Sequence, residues 1–269
     1  MSAQLKREDE QPATTSSSEE EQLKVIQLME TAVPQSTQAE RQRFSVGCNG
    51  NQSAAIEKLR KYMKWRNEYC DDALREELDS WTYATQMLQK CSAKNCSPTN
   101  LSLSSLPCIV YVHEETQSMK RYVQHLPGRI DTTLAKPSTY ALVLAIYLEH
   151  LFDRASDEKV TLVIDVRAGQ GWANILAIHL IPFIQMSCRL LSDLHPERLD
   201  TCILFPMPIV ANVIWKAVKP FLRRDTKKKV VLVNGTAGVD DPVPKKMSQL
   251  MNEDMINQLE EKRRSCFSR

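Results

Sequence analysis

The sequence predicts an α/β fold with a mostly parallel sheet flanked by helices, preceded by a small all-helical N-terminal domain. Residues 160–165 form a short apolar run that predicts a strand buried on both faces; residues 199–205 predict a second strand, and residues 230–233 predict a third, apolar one. A helical pattern separates the first two runs and stops before His195 and Pro196, since a residue before proline avoids the helical region. A second helical pattern separates the last two. Strand, helix, strand, helix and strand in this order are typical of parallel pairing.

The composition excludes several classes of protein. Of its 269 residues, 42% are hydrophobic and 25% are charged, an ordinary balance for a soluble chain with a sizeable core. The formal net charge of +2 predicts neither nucleic-acid binding nor general membrane adhesion. No apolar run is long enough to span a bilayer, and the N-terminus lacks the apolar segment of a signal peptide. The eight cysteines lack the spacing of a zinc site, so we expect reduced thiols and a cytoplasmic protein.

The N-terminal part of the chain changes from polar to helical in character. Residues 1–20 are charged and rich in serine and threonine, and they predict a disordered tail because they have little to bury. Helical periodicity begins near Glu19 and is expected to end before Pro34. A polar interval follows, in which Gly47 and Asn49 indicate a turn.

Two further helices and a linker complete the predicted helical domain, which covers residues 21–104. Ser53 can cap the first of these helices, whose apolar residues recur at helical spacing as far as Trp65. Residues 73–90 predict one more helix. The polar stretch around Pro98 predicts the linker to the main domain.

The main domain is predicted over residues 105–236. Residues 108–112 predict its first strand, and residues 119–126 predict a second strand that pairs with it. A helix starts at Pro137, and its almost wholly apolar middle predicts burial on most sides. Residues 237–269 predict a C-terminal helical extension, mostly polar and packed on the surface.

The motifs of common enzymes are missing from the sequence. There is no Gly-x-Ser-x-Gly elbow, no Walker loop and no Gly-x-Gly-x-x-Gly segment that opens a helix. Gly169 and Gly171 follow a strand, as in a nucleotide-binding loop, but the third glycine is absent. The five histidines have no metal-ligand spacing. We therefore expect no catalytic residues, no metal and no cofactor, and a protein that is not an enzyme.

Several sequence blocks occur in an order that is typical of one known family. An apolar strand ends in Asp-x-x-x-Gly at Asp165, and the block His-Pro-Glu-Arg-Leu starts at His195. Trp-Lys-x-Val-Lys-Pro-Phe-Leu starts at Trp215, and Thr-Lys-Lys-Lys-Val starts at Thr226. From about residue 41 to residue 235 the chain therefore resembles the CRAL-TRIO lipid-binding domain, whose family includes the yeast phosphatidylinositol/phosphatidylcholine transfer protein. The resemblance implies that the sheet and its helices enclose an apolar lipid pocket.

The helix predicted to begin at Pro208 is apolar around most of its circumference. Its polar residues Asn212, Lys216 and Lys219 fall on one face, so its apolar stripe is wider than one-sided packing requires. A helix buried in an ordinary core would show the same pattern. A lipid carrier needs a closable pocket, because burial of two acyl chains is worth about 20–25 kcal/mol at about 0.8 kcal/mol per methylene. The resemblance implies that this helix is the gate, formed by Ile209, Val210, Val213, Ile214, Trp215 and Val218.

Three polar residues stand at positions that serve the inositol phosphate in the phosphatidylinositol-binding members of the family: Glu197, Thr226 and Lys229. The resemblance implies that Lys229 offsets the phosphate charge, Thr226 donates to a phosphate oxygen, and Glu197 accepts from a hydroxyl or holds the lysine. A structural salt bridge at the start of a strand, or solvated charges, would also account for them. Val160 and Leu162 stand where the phosphatidylcholine-transfer members have hydroxyl side chains, so choline binding is not expected.

These observations predict an intracellular lipid-binding or lipid-transfer protein for phosphatidylinositol, with an apolar cavity and a gate helix. The expected partners are a phospholipid and, transiently, a membrane surface; we expect a monomer and no nucleic-acid partner. One alternative is a lipid sensor or adaptor that regulates a partner without transferring lipid. Another is a carrier of a different hydrophobic molecule, such as a sterol or a tocopherol. The set of Glu197, Thr226 and Lys229 argues against this second alternative.

Overall fold

The centre of the molecule is a five-stranded sheet in the order β1-β2-β3-β4-β5. It is seen in a computed structural model that describes residues 15–94, 103–115, 119–207, 215–216 and 218–267. β1 runs antiparallel to β2, and the other neighbouring strands are parallel, which confirms the predicted mostly parallel sheet. The strands are β1 (Val110–Glu114), β2 (Arg121–His125), β3 (Val160–Asp165), β4 (Leu199–Met207) and β5 (Val230–Asn234).

Helices precede the sheet, connect its strands and follow it. The first group is α1 (Thr15–Ala32), α2 (Gln38–Gly47), α3 (Gln52–Tyr69) and α4 (Ser80–Lys94). The helices that come later in the chain are α5 (Pro137–Leu151), α6 (Ile181–Leu194), the short α7 (Arg224–Lys228) and α8 (Glu253–Phe267). Among the described helices, none is long and apolar enough to cross a bilayer.

Helix α2 was not predicted, because its sequence was taken for a polar interval. A capping box starts it: the backbone N–H of Glu40 donates to Thr37 Oγ1 at 3.1 Å, and the backbone N–H of Thr37 donates to Glu40 Oε2 at 2.7 Å. Apolar periodicity is weak here because Glu40, Arg41 and Arg43 are among its buried residues. The spacing of Thr37 and Glu40 is the sequence signal that would have identified this helix.

The starts of α1 and α3 also differ from the predictions. α1 begins at Thr15 rather than near Glu19, so helical hydrogen bonding extends into the polar segment before the first apolar residues. Asn51, and not Ser53, caps α3: its Oδ1 accepts a hydrogen bond from the backbone N–H of Ala54 at 3.0 Å. Asparagine is at least as good a cap as serine, so the earlier residue starts the helix.

The single helix predicted over residues 73–90 is divided in two. A short 3-10 turn forms at Asp72–Leu74, and α4 begins only at Ser80. Asp79 sets this start, because its Oδ1 accepts hydrogen bonds from two backbone N–H groups of the first turn at 3.0 and 3.1 Å.

Two features near β4 and β5 correct the predicted boundaries. Pro206 does not end β4: the strand continues to Met207, with a cis peptide bond between Phe205 and Pro206. The basic segment predicted as a turn before β5 folds into α7. Asp225 in its first turn and Lys228 in its last turn both complement the helix dipole.

The two faces of the sheet are covered by different parts of the chain. On the outer face, defined by Val163, Ile203 and Val233, an apolar cluster forms with Met255 and Leu259 of α8. On the inner face, α5 and α6 pack against β1, β2 and β3. α8 is mostly polar, as predicted, and its few apolar residues share one face that closes the outer side of the sheet.

The N-terminal helices pack on α5 and α6. Phe44 of α2 and Leu59 of α3 belong to one buried cluster with Ala145 of α5 and Leu194 of α6. Helix α4 instead joins the core around α5, to which it contributes buried aromatic and aliphatic side chains. The predicted domain boundaries after residues 20, 104 and 236 stay predictions.

Candidate functional site

The inner face of the sheet carries two apolar rows that run across its parallel strands. Residues paired in register point to the same side of the sheet, and so do residues two positions apart on one strand. The first row is His125, Ile164, Leu204 and Leu232. The second row is Val123, Leu162, Cys202 and Val230. Apart from His125 these side chains are apolar, and together they form one continuous strip.

Part of this strip is left uncovered by the described chain. Four of its members are only half-buried and join none of the three apolar clusters that the described residues form: Ile164, Leu204, Val230 and Leu232. On the outer face, by contrast, Val163 and Ile203 are 0% and 1% exposed. β3 and β4 lie inside the sheet, where parallel strands normally bury both faces. Within the described part of the chain, this half of the inner face therefore lacks the apolar layer that covers the outer face.

Glu197 and Lys229 meet at the amino ends of β4 and β5. Lys229 Nζ lies 3.6 Å from Glu197 Oε2 and donates a hydrogen bond to the carbonyl oxygen of Leu199 at 2.7 Å. The two side chains are 25% and 27% exposed, respectively. The lysine thus helps to hold the start of β4, as the alternative of a structural salt bridge predicts. Both charged groups nevertheless remain accessible to a ligand from solvent.

The backbone of Glu197 is unusual. Its φ angle of 61° lies in the left-handed region, which costs a residue other than glycine about 1–2 kcal/mol. Thr226, the third predicted residue of the headgroup site, lies on α7, and its carbonyl oxygen accepts from the backbone N–H of Lys229 at 3.1 Å. Its side chain is half-buried. The described side-chain contacts therefore join Glu197 to Lys229, while Thr226 is held close to Lys229 by the backbone of α7.

The predicted gate lies mostly outside the described residues. The part that falls there comprises Ile209, Val210, Val213 and Ile214. Trp215 is helical and half-buried, and Val218 is 6% exposed. A 3-10 turn at Lys219–Phe221 follows, in which Phe221 is 53% exposed. The assignment of this segment as a gate stays a prediction.

A buried ion-pair cluster at the carboxyl end of β3 was not predicted from the sequence. Arg167 Nη2 donates to Asp165 Oδ2 at 2.6 Å, and Arg167 Nε donates to Asp165 Oδ1 at 3.0 Å. Arg167 also pairs with Glu260 of α8, and Arg263 Nε lies 3.4 Å from Asp165 Oδ2. The aspartate of the Asp-x-x-x-Gly block therefore fastens α8 to the sheet.

The glycine of the same block has a packing role. A Cβ atom on Gly169 would overlap the ring of Phe267 at the end of α8. Trp172 stands edge-on to Phe267 with ring centroids 5.8 Å apart, and the guanidinium of Arg129 lies 4.1 Å above Trp172. Aromatic side chains thus fill the space beside this loop, which argues further against a nucleotide phosphate there.

A second charged cluster, also missed from the sequence, joins the N-terminal helices to α5. Glu149 is 4% exposed and accepts hydrogen bonds from Tyr62 Oη at 2.9 Å and Arg66 Nε at 3.0 Å. Burial raises the pKa of Glu149. A carboxylate in the otherwise apolar α5 was the available signal. An adjoining open cleft of about 660 Å³ has charged side chains such as Arg66 and Asp71 in its wall, which does not suit acyl chains.

The histidines serve structural hydrogen bonds in several places. His113 Nε2 lies 2.9 Å from Gln124 Oε1, and His195 Nε2 lies 3.1 Å from the carbonyl oxygen of Ala145. Within the described residues, no three side chains of the metal-binding types are close enough together to hold a metal ion.

Comparison with known proteins identifies the sheet as a recognised domain. The family model described as the CRAL/TRIO domain matches residues 108–259. This match contains all five strands and ends inside α8. No curated protein matches the chain.

Solved structures share the fold over a longer stretch, and 33 of their chains match. One is a crystal structure of Sfh5, a Sec14-like yeast protein, which has 14% sequence identity and a TM-score of 0.57. The match covers 89% of this chain and 85% of that chain, so it extends into the N-terminal helices. At this level of identity the likeness concerns the fold alone.

Proposed function

The chain belongs to the CRAL/TRIO domain family, whose members are lipid-binding proteins, and from this premise we propose that it binds and transfers phosphatidylinositol. The acyl chains would occupy the space over the inner face of the sheet. Residues 208–218 would form the gate over that space, and Glu197, Thr226 and Lys229 would receive the inositol phosphate.

The half-buried strip on the inner face is the observation that carries this proposal. Ile164 and Leu204 lie on the two central strands, yet the described chain leaves them without the close packing that Val163 and Ile203 have on the outer face. Leaving such an apolar strip in contact with water is unfavourable, because burial of each 100 Å² of apolar surface stabilises the protein by about 2.5 kcal/mol. Acyl chains are the apolar layer that this arrangement lacks.

The solvent-accessible ion pair of Lys229 and Glu197, at the amino ends of β5 and β4, supports the proposal that the bound lipid has an anionic headgroup. Lys229 has hydrogen-bonding capacity beyond its bond to Leu199, because an ammonium group carries three donors. Glu197, which faces it, can accept from the hydroxyls of an inositol ring. The left-handed backbone of Glu197 is the kind of strain that persists where a side chain must be aimed.

Exposed apolar side chains support transient contact with a membrane. Leu176 and Ile178, just before α6, are 68% and 63% exposed, and Phe221 is 53% exposed. The turn that contains Phe221 contacts α6, and its neighbours Lys219 and Arg224 are exposed cations. Apolar side chains beside basic ones suit the interface of an anionic bilayer.

Two measurements on the purified protein test the proposal. Native mass spectrometry with lipid extraction identifies what the protein carries, and exchange of labelled phosphatidylinositol between donor and acceptor vesicles measures transfer. We expect phosphatidylinositol to co-purify and to move between vesicles. Binding without exchange would favour a lipid sensor or adaptor, and a bound sterol or tocopherol would favour the other carrier. Either result, or no bound lipid at all, would overturn the proposal.

A further inference from the structure

A small cavity lies between the N-terminal helices and the segment that leads into β4. α2 contributes Arg43 to its wall and α3 contributes Tyr62, whereas His195 and Arg198 line it from the segment between α6 and β4. The cavity has a volume of about 10 Å³, which is room for one small ion or one water molecule. Most of its wall is polar, and polar cavities hold a polar occupant rather than stay empty.

Two arginines of this wall are buried without a carboxylate partner. Arg43 and Arg198 are 8% and 3% exposed, and neither forms an ion pair with an acidic side chain that the structure describes. Their guanidinium groups donate to backbone carbonyl oxygens instead, Arg43 to that of Ser156 and Arg198 to those of Asp153 and Glu158. A carbonyl oxygen satisfies an N–H group but carries no net charge. Both positive charges therefore lack a direct counter-ion among the described residues.

The other charged groups around the cavity are matched with each other. Arg154, also in the wall, pairs with Glu40 at 2.7 Å. Glu149, another wall residue, pairs with Arg66 at 3.0 Å, and Arg66 has a second carboxylate partner in Asp72. With the two unpaired arginines included, four guanidinium groups face three carboxylates, so one positive charge is in excess. A single monovalent anion in the cavity would balance it.

The two unpaired arginines also repel each other. Burial, together with the nearby charge of Arg43, lowers the pKa of Arg198 to about 10, and burial lowers the pKa of Arg43. Both groups stay protonated near pH 7, so their charges persist. Asp157 and Glu158 attract them only from a distance, since Asp157 is exposed and Glu158 pairs with Arg121. Buried charges in proteins are normally paired, so a counter-ion is expected in the cavity that both arginines line.

The rest of the wall restricts what the occupant can be. Burial lowers the pKa of His195 to about 3, so its ring is neutral near pH 7. Its Nε2 atom donates to the carbonyl oxygen of Ala145 at 3.1 Å, so Nδ1 has no proton to donate. The hydroxyl of Tyr62 already donates to Glu149 at 2.9 Å. The arginine N–H groups are therefore the donors that remain, and the small volume excludes a phosphate or a carboxylate.

We propose that this cavity is a binding site for one small monovalent anion of the size of chloride, held by Arg43 and Arg198. The anion joins α2 to the segment before β4, so its binding stabilises the contact of the N-terminal helices with the rest of the chain. A water molecule would fill the same space but would leave the excess positive charge unbalanced. The site needs no lipid, so it is independent of the proposed function.

Stability in different salts tests the proposal on the full chain. Urea unfolding is followed by circular dichroism over a wide range of chloride concentrations, and sodium gluconate keeps the ionic strength constant because gluconate is too large for the cavity. We expect the equilibrium constant for unfolding to fall about tenfold for each tenfold rise in chloride above its dissociation constant, because the anion binds only the folded chain. Bromide should act like chloride. Equal stability in chloride and in gluconate would overturn the proposal and leave a water molecule as the occupant.

Variants connect the salt effect to the two arginines. In Arg43→Gln and in Arg198→Gln, we expect the chloride dependence to disappear, whereas Arg43→Lys, which keeps the charge, should retain part of it. Arg41→Gln is the matched control, because Arg41 is a similarly buried arginine of α2 that pairs with Glu30 and lies outside the cavity wall. The wild-type dependence is expected there.

Diffraction from wild-type crystals that contain bromide is a second measurement, and it needs no variant. We expect an anomalous peak between Arg43 and Arg198. A chloride dependence that survives both glutamine variants, or bromide peaks only at other places, would show that the anion binds elsewhere and would overturn the assignment. If the glutamine variants do not fold, the salt dependence of the wild-type protein and the position of the bromide peak decide.

Discussion

Arg167, in the loop after β3, and Glu260, in α8, form an ion pair that closes over the buried carboxylate of Asp165. The Arg167 side chain is 1% exposed and that of Glu260 is 18% exposed. The guanidinium is thus removed from water and depends on its carboxylate partners. Because the pair joins segments 93 residues apart in the chain, it fixes α8 over the outer face of the sheet.

We expect Arg167→Leu to lower the free energy of unfolding by about 3–5 kcal/mol, because Asp165 then loses its main partner in the interior. Urea denaturation followed by circular dichroism measures the change. Arg264→Leu, at an exposed position of α8, is the matched control and should alter stability by less than about 0.5 kcal/mol. Equally small effects for both variants would contradict the role assigned to Arg167.

The headgroup assignment predicts a selective effect of Lys229→Ala. Affinity for phosphatidylinositol should fall about tenfold or more, because the phosphate loses its counter-charge. Lys228→Ala is the control, since Lys228 is 69% exposed and pairs with Asp225 on the surface. Binding of a sterol should be unchanged in both variants.

The alternative for Lys229, a salt bridge that serves only the fold, makes a different prediction. Phosphatidylinositol and sterol binding would fall together in Lys229→Ala, and the melting temperature would drop, because the bond from Lys229 to Leu199 is lost. Binding of both lipids and thermal melting are therefore measured on the same preparation. Equal losses for the two lipids would reject the headgroup role.

The gate prediction concerns residues outside the described part of the chain. In Val213→Asp or Ile214→Asp, a charge is placed where the helix is expected to meet the pocket or the bilayer. Exchange of lipid between vesicles should slow at least tenfold, because a carboxylate is costly in either apolar environment, while the protein stays folded. Lys216→Gln is the control, at an exposed position. Unfolding of the aspartate variants would instead identify the segment as ordinary core.

Two buried histidines predict a loss of stability in weak acid. Burial lowers the pKa of His125 to about 4 and that of His195 to about 3, from an ordinary value of 6.5. The folded-state pKa values lie below the unfolded ones. The corresponding stability is therefore fully present above about pH 6.5 and is lost as the pH falls towards 4. Each histidine contributes about 1.4 kcal/mol per pH unit in that window.

Urea titrations at a series of pH values across this window measure the effect. Glu149 acts in the opposite direction, because burial raises its pKa, so this carboxyl group makes the observed slope shallower. His195→Phe should make the slope shallower, because a phenyl ring cannot take up the proton that the unfolded histidine binds. A slope that is unchanged in His195→Phe would show that other groups control the acid response.

Much of the architecture followed from local patterns in the sequence. The runs at β3 and β5 consist largely of Val, Ile and Leu, β4 has an apolar second half, and the helices between the three strands make parallel pairing the favoured arrangement. α2 was not predicted because its buried side includes Arg41 and Arg43, so apolar residues do not recur there at helical spacing. Its formation depends on a cap at Thr37 and on tertiary partners, which hydrophobic periodicity does not register.

Glu197, Thr226 and Lys229 could be named from the sequence only through the resemblance to a known family. Glu197 and Lys229 each lie shortly before a strand of the same parallel pair, so their meeting follows once that pairing is known. The partnership of Arg167 with Glu260 has no such local signal, because it depends on how α8 returns to the sheet. Likewise, only the packed structure brings two buried, unpaired arginines into the wall of one cavity.

The half-buried strip on the inner face has a consequence for the life of the protein in a cell. A ligand that binds only the folded chain raises its stability, by about 2.7 kcal/mol at a concentration one hundred times its dissociation constant. A newly made chain that finds no lipid would therefore unfold more often and be degraded sooner than a loaded one. Steady-state abundance would then rise and fall with the lipid supply, so the pool of this protein would itself report how much of its cargo is available.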